Sequence, residues 1–295
     1  MRYEWGMTSA HPLHIGVKLS QQLTTVAELT DFWRVADQAG FDHLWNYDHF
    51  AALPPEPDVM PGDVLEAWTL LGAMAQATER IRIGCMVTGN TYRHPAVLAK
   101  MAVTVDHLSG GRLEFGLGAA WVEAEHTMLG IEFGTLRQRL DRFEEACQLI
   151  RSLWTEELTT FEGEHYQLTD ALANPKPVQR PYPPIWVGGR GRKRTLRIAA
   201  QYADVWNTPA ADPDEVADLS AVLDRHCADV GRDPAEIRRS SQLRFDSTVE
   251  RLLKEIEQQA ALGVSEIIIY VPPGNAVADL ERLAASLPAM RAIGS

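Results

Sequence analysis

Short apolar runs alternate with longer amphipathic stretches along most of this chain. Runs rich in apolar, β-branched and aromatic residues predict strands over residues 13–19, 42–47, 81–88, 112–117, 184–188, 203–206, 238–245 and 265–271. Apolar positions three and four apart predict helices over residues 25–39, 64–78, 95–108, 136–154, 191–201, 213–230, 248–262 and 276–287. Taken in order, these make eight strand–helix units. Local punctuation agrees. Thr25-Val26-Ala27-Glu28 and Thr135-Leu136-Arg137-Gln138 fit capping boxes. Asp212-Pro213 and Asp233-Pro234 fit an N-cap followed by proline in the first turn. Gly40 and Gly263 each stand between a helix and the next strand.

Buried strands separated by helices predict a parallel sheet, and eight such units predict a closed (β/α)8 TIM barrel of the α/β class in one domain, 1–295. An open doubly wound sheet is the alternative. A dinucleotide-binding sheet would carry glycines after its first strand, where this chain has Lys18-Leu19-Ser20-Gln21-Gln22. Gly116-Leu117-Gly118-Ala119-Ala120-Trp121 begins like that motif, but lies mid-chain and lacks the last glycine. Two segments break the rhythm. Phe50 to Asp63 is proline-rich and could act as a semi-rigid lid. Residues 155–183 form an insertion with a small hairpin around Phe161–Tyr166 and a proline-heavy end.

Composition narrows the function. The chain has 295 residues, 45% of them hydrophobic, which is ample for a large core. A net charge of -12 argues against a nucleic-acid surface and means that any anionic ligand is held by local groups. Cys85, Cys147 and Cys227 are widely spaced and suit a reducing cytosol, the expected compartment. The longest strongly apolar run, Ile267–Val271, is too short to span a bilayer, and the first residues lack a signal-peptide pattern.

Candidate chemistry collects where barrel strands end. Residues 183–194 run from a strand through Gly188-Gly189-Arg190-Gly191 into a predicted helix, with Arg192, Lys193 and Arg194 adding positive charge. That pattern reads as a phosphate seat at a helix N-terminus, or equally as a glycine-rich turn before a basic, solvated helix face. His49, beside Asp48 at the second strand end, is the best proton donor or acceptor. Cys85 and Met86 read as tight strand packing, and Glu123 as a helix cap or a substrate contact. His11 and His14 stand at the start of the first strand and so belong to the opposite face. No metal-ligand spacing and no GxSxG nucleophile motif stand out.

These segments, in this order, resemble the luciferase-like monooxygenase superfamily, and most of all its deazaflavin-dependent branch, which uses coenzyme F420. The resemblance spans Leu13 to Val271. It rests on Gly40-Phe41-Asp42-His43-Leu44-Trp45 with Asp48-His49-Phe50, Arg80-Ile81-Arg82-Ile83-Gly84, Thr88-Gly89-Asn90-Thr91-Tyr92-Arg93-His94-Pro95 and Leu108-Ser109-Gly110-Gly111-Arg112. It continues through Gly116–Trp121, Pro175-Lys176-Pro177-Val178-Gln179, Pro184–Gly189 and Tyr202-Ala203-Asp204-Val205-Trp206-Asn207. It implies a cofactor ring across the strand ends, cofactor phosphate on Gly188, Gly189, Arg190 and Gly191, and a non-prolyl cis peptide within Cys85-Met86-Val87 that buttresses the ring beside Thr88. It makes His49 the residue near the hydride-transferring carbon, with Asp48 beside it; Trp121 is then expected to wall the substrate side, and Glu123 to lie on that side unless it caps the helix. The chain departs from the family pattern at Ala120, where glycine is commoner, and at Val122, where a polar residue is usual.

The implied activity is F420-dependent hydride transfer to or from a small organic substrate. The alternatives are an FMN-dependent monooxygenase fed by a partner reductase and a non-catalytic flavin-binding barrel. A homodimer through outer helices is the expected assembly. Gly188→Asp is expected to abolish cofactor binding by setting a carboxylate against the phosphate.

Overall fold

Eight parallel strands close into a barrel in the computed structural model, which describes residues 11–53, 59–209, 212–246 and 248–293. The first half runs β1 (His14–Lys18), α1 (Val26–Ala39), β2 (His43–Asn46), α2 (Ala67–Ala77), β3 (Arg82–Cys85), β4 (Thr88–Gly89), α3 (Pro95–Ser109) and β5 (Leu113–Gly118). Two helices follow, α4 (Glu123–Leu129) and α5 (Leu136–Thr155), and then the antiparallel hairpin β6 (Thr159–Glu162) and β7 (Gln167–Ala171). The second half runs β8 (Ile185–Gly188), α6 (Thr195–Tyr202), β9 (Val205–Thr208), α7 (Pro213–Val230), β10 (Arg238–Arg244), α8 (Val249–Ala261), β11 (Val264–Tyr270) and α9 (Ala276–Ala292). β1 pairs with β2 and β11, and the β3–β5 pairing completes the closed ring. The barrel, rather than an open sheet, is the fold, and β3 with β4 makes one barrel strand interrupted at Met86–Val87.

The punctuation acts as its chemistry requires. Both capping boxes form, at Thr25/Glu28 and Thr135/Gln138. Gly40 and Gly263 take φ of +84° and +82°, which glycine adopts without a Cβ clash. α2 starts at Ala67 because the Glu66 carboxylate caps the Trp68 and Thr69 N–H groups. The outer layer is an apolar shell between strands and helices, with Phe32, Leu71, Phe143, Leu196 and Leu283 fully enclosed. Inside the barrel, Trp45, Met86, Trp186, Val205 and Ile268 form a separate apolar plug. Gly16 and Gly84 lie at that plug. A Cβ on Gly16 would meet Ile268 at 2.9 Å, and one on Gly84 would strike the Trp45 ring.

The peptide Met86–Val87 is cis, within the expected tripeptide. The proline-rich lid expected over Phe50–Asp63 is held at its ends by a bridge between Ala52 and Met60, while residues 54–58, with Pro54, Pro55 and Pro57, lie outside the described residues. No helix among the described residues is long and apolar enough to cross a membrane.

Candidate active site

A cavity of about 760 Å³ opens over the C-terminal ends of the strands, the end that holds barrel active sites. Its floor is the β3–β4 junction. Val87 projects there into a niche made by three glycines of the neighbouring strands. A Cβ on Gly188 would meet the Val87 methyls at 2.9 and 3.0 Å, and one on Gly118 would meet them at 2.8 Å. A Cβ on Gly116 would strike the Cys85 carbonyl oxygen. Gly116-Leu117-Gly118 is therefore a space-making pattern for the opposing strand, not a fragment of a nucleotide motif. Met86, Val87 and Thr88 border the cavity, whereas Cys85 lies beneath it in the outer core, with its thiol pushed far up by burial. Cys85 is thus not brought to the cavity surface.

His49 stands on the cavity wall. Its Nδ1 lies 2.7 Å from Glu125 Oε2, and its ring packs edge-on against Trp121, 5.7 Å between centroids. Glu125 is fully buried and satisfies several donors at once. Its Oε1 accepts from the backbone N–H groups of Phe50 (2.6 Å) and Ala51 (2.9 Å), and its Oε2 accepts from the Tyr92 hydroxyl (2.7 Å). Burial alone would raise its pKa. The hydrogen bond and charge of His49, with the Tyr92 and Ala51 donors, outweigh that and pull it down to about 2. The result is a carboxylate–imidazole dyad in which Nδ1 is engaged and Nε2 is the nitrogen left for the cavity.

Glu125 sits on α4, an element that the hydrophobic pattern does not reveal. Seven residues with three charged or imidazole side chains show no apolar stripe. The available signal was Gly130, which caps α4 at φ +67°. Glu123, two residues earlier, is exposed on the first turn of α4 and does not line the cavity. Asp48 is buried and forms a bidentate pair with Arg93 (2.7 and 3.0 Å) while accepting from Gly89 N–H (3.1 Å), so it ties β2 to β4 and to the start of α3. Trp121 borders the cavity and is 56% exposed, a wall that is open to solvent. It follows Ala120, which takes φ +62°, a left-handed conformation in which glycine is at ease.

The Gly-Gly-Arg-Gly turn also borders the cavity, but its parts divide the work differently from the sequence reading. Gly188 is a glycine because of Val87. The Gly189 N–H donates to Asn207 O (3.0 Å), so it is not available to a phosphate. Gly189, at φ +128°, and Gly191 fold the chain back over Thr195, which begins α6. The helix starts at Thr195 instead of 191 because the basic run forms a turn and reaches outward. Arg192 pairs with Asp218 on α7, and Arg194 pairs with Asp141 and Glu144 on α5. Arg190 borders the cavity while bonding Glu215 at 3.0 Å. Gly188, Gly189, Arg190, Gly191 and Thr195 all line the cavity from this segment, the last at the N-terminus of α6.

The opposite end of the barrel carries its own charged layer. His14, His43 and Glu266 bring one ligand-type atom each within 4.8 Å of one another. Arg238 bonds the same Glu266 carboxylate. Burial works to raise Glu266, but His14, His43 and Arg238 hold it well below the usual carboxylate range, so it stays an ionised carboxylate paired with Arg238. Arg82 and Trp186 likewise bond the buried Glu114.

Known proteins bear out the likeness. A family model described as luciferase-like monooxygenase matches residues 7–284. An uncharacterised protein of Mycobacterium tuberculosis is 33% identical over 269 residues, 86% of this chain and 92% of its own. An F420-dependent glucose-6-phosphate dehydrogenase of Microbacterium testaceum is 30% identical over 289 residues, 95% of this chain and 82% of its own. The fold matches that of an F420-dependent secondary alcohol dehydrogenase solved with an F420-acetone adduct, with a TM-score of 0.84 at 20% identity, covering 95% of this chain and 99% of that one.

Proposed function

The chain belongs to the luciferase-like monooxygenase family, and from that premise we propose that it is a coenzyme F420-dependent oxidoreductase that moves a hydride between the deazaflavin and a small organic substrate. The dehydrogenase relative named for F420 supports this choice of coenzyme over FMN. The cavity fits such a group. Its volume lies within the range of cofactor sites, its floor is apolar at Met86 and Val87, and Gly191 leaves no room for a side chain, since a Cβ there would meet Thr195 Oγ1 at 2.6 Å. Arg190 and the α6 N-terminus, which border the cavity, would hold the coenzyme's anionic tail, and Met86, Val87 and Thr88 would support its flat ring. When bound, the deazaflavin supplies the carbon that gives or accepts hydride. The protein supplies position and the proton. Glu125 fixes the His49 ring through Nδ1, so that Nε2 gives or takes the proton that accompanies hydride transfer.

The observation that carries this reading is the buried Glu125–His49 dyad on the cavity wall. Absorbance titrations with F420 and with FMN test the coenzyme, and turnover with reduced or oxidised F420 tests the dyad. The expected outcome is that F420 binds, that His49→Asn lowers kcat roughly 100-fold or more with little change in F420 affinity, and that Glu125→Gln lowers kcat by a smaller factor. Tight FMN binding without F420 binding would make the protein a flavin-dependent monooxygenase. Unchanged turnover and affinity in His49→Ala would leave a barrel that only binds its cofactor.

A further inference from the structure

Lys18 is the one cavity-lining cation among the described residues that has no carboxylate partner. It ends β1 and points into the barrel mouth. Its ammonium donates to Met86 O at 3.2 Å and to Gln242 Oε1 at 3.1 Å, two neutral acceptors. An ammonium has three donors, so one is left over. The amide that receives it is held in one orientation. Gln242 Nε2 donates to Asn207 Oδ1 (2.8 Å), and Asn207 Nδ2 donates to Ser240 Oγ (2.8 Å). Gln242 therefore keeps Oε1 towards Lys18 and cannot swap ends without breaking that chain. Below lies the apolar plug of Trp45, Met86 and Trp186.

The other charged groups at this cavity are already committed. Asp48 is bridged bidentately to Arg93, Arg190 is bridged to Glu215, and His49 is bound to Glu125. Tyr47 and Tyr92, also on the wall, are held in the neutral phenol form chiefly by burial. The Cys85 thiol is likewise kept neutral, chiefly by burial. A cation with no opposing charge in a low-dielectric pocket is unfavourable. Lys18 shows the consequence, since loss of solvent brings its pKa down to about 8.

We infer that Lys18 is an anion subsite in the cavity floor, and that the missing counter-charge is carried by the ligand as a negatively ionised, planar heteroaromatic ring seated on Met86–Val87. This deepens the F420 reading and rests on it for the ring's identity, but the subsite is defined by the protein alone. Its effect is to favour the ionised ring over the neutral one. Lys18 touches the bound ring and sets its ionisation, while His49 serves the proton of the reaction.

The test compares the wild type with Lys18→Met and Lys18→Arg, reading ring absorbance against pH in the bound state. Two probes are used, F420 and lumazine, a small planar bicycle whose ring N–H ionises. In the wild type the bound ring ionises at lower pH than the free ring. Lys18→Met reduces the preference for the ionised over the neutral ring about tenfold, a one-unit shift in its apparent pKa, and Lys18→Arg restores most of it. The inference is overturned if Lys18→Met binds both forms of either probe in the wild-type ratio, or if the wild type prefers the neutral ring. A protein that discriminates between the lumazine forms through Lys18 but binds no F420 would keep the subsite and overturn the coenzyme assignment. One that binds F420 with no Lys18-dependent preference would do the reverse.

Discussion

At the residue scale, the chemistry of His49 depends on a carboxylate that is not its sequence neighbour. The sequence singles out His49 as an imidazole beside an aspartate at a strand end, and the fold sets it on the cavity wall. Asp48 looks like its partner in sequence, yet strand geometry turns it towards Arg93 and Gly89. Glu125, 76 positions away along the chain from His49, takes the role instead. No local pattern encodes a contact made by closing a barrel. Ala120 shows the converse, a local feature visible in sequence whose meaning needed the backbone. An alanine at φ +62° carries strain of about 1 kcal/mol that a glycine would not. Ala120→Gly is therefore expected to raise unfolding free energy by up to about 1 kcal/mol in urea titration, offset in part by the freer unfolded chain. A loss of stability of similar size would show that the methyl makes a contact worth more than the strain.

At the element scale, most barrel strands were easy to read because they are enclosed on both faces and rich in apolar residues, whereas β10, with Leu243 its one apolar residue, is the exception. Long helices were legible from their stripes and caps. The failures have one cause, elements whose sequence is set by neighbours. α4 is short and polar because it delivers Glu125. α6 begins late because Arg192 and Arg194 answer carboxylates on α7 and α5. The glycines of β5 and β8 answer Val87. That last coupling gives a double-mutant test. Gly188→Ala alone is expected to destabilise by about 1–3 kcal/mol through overpacking. In a Val87→Ala background the nearest side-chain contact recedes to 3.5 Å, so most of that loss should vanish. Gly116→Ala is the control, because its obstacle is the Cys85 carbonyl, which Val87→Ala does not remove. Equal losses at Gly188 in both backgrounds would refute the niche. Gly188→Asp would likewise abolish binding through Val87, and so says little about a phosphate.

At the scale of the whole molecule, the barrel sets the candidate active site and a charged structural layer at opposite ends of its axis. The Trp45–Trp186 plug, with rings 4.7 Å apart, lies between the cavity and the charged layer of Glu266, His14, His43 and Arg238. Glu266→Gln tests that separation. Removing a buried carboxylate leaves Arg238 without its counter-ion, which is expected to lower stability by about 3–5 kcal/mol at neutral pH. The pH dependence has a definite sign. The folded Glu266 carboxyl is depressed, so its contribution is complete above the unfolded value near 4.3 and is lost as pH falls from there towards the folded pKa. His14, raised mainly by its bond to Glu266, contributes below its unfolded value near 6.5 and loses that contribution as pH rises through the folded pKa. The wild type should therefore weaken on both sides of this interval, and Glu266→Gln should flatten the acid side of a urea-midpoint profile. F420 affinity and kcat per folded molecule should stay within about twofold, because no atom of this layer reaches the cavity across the plug. If cofactor affinity instead falls in step with stability, the two ends of the barrel are energetically one unit, and the plug transmits strain that its apolar packing would not lead one to expect.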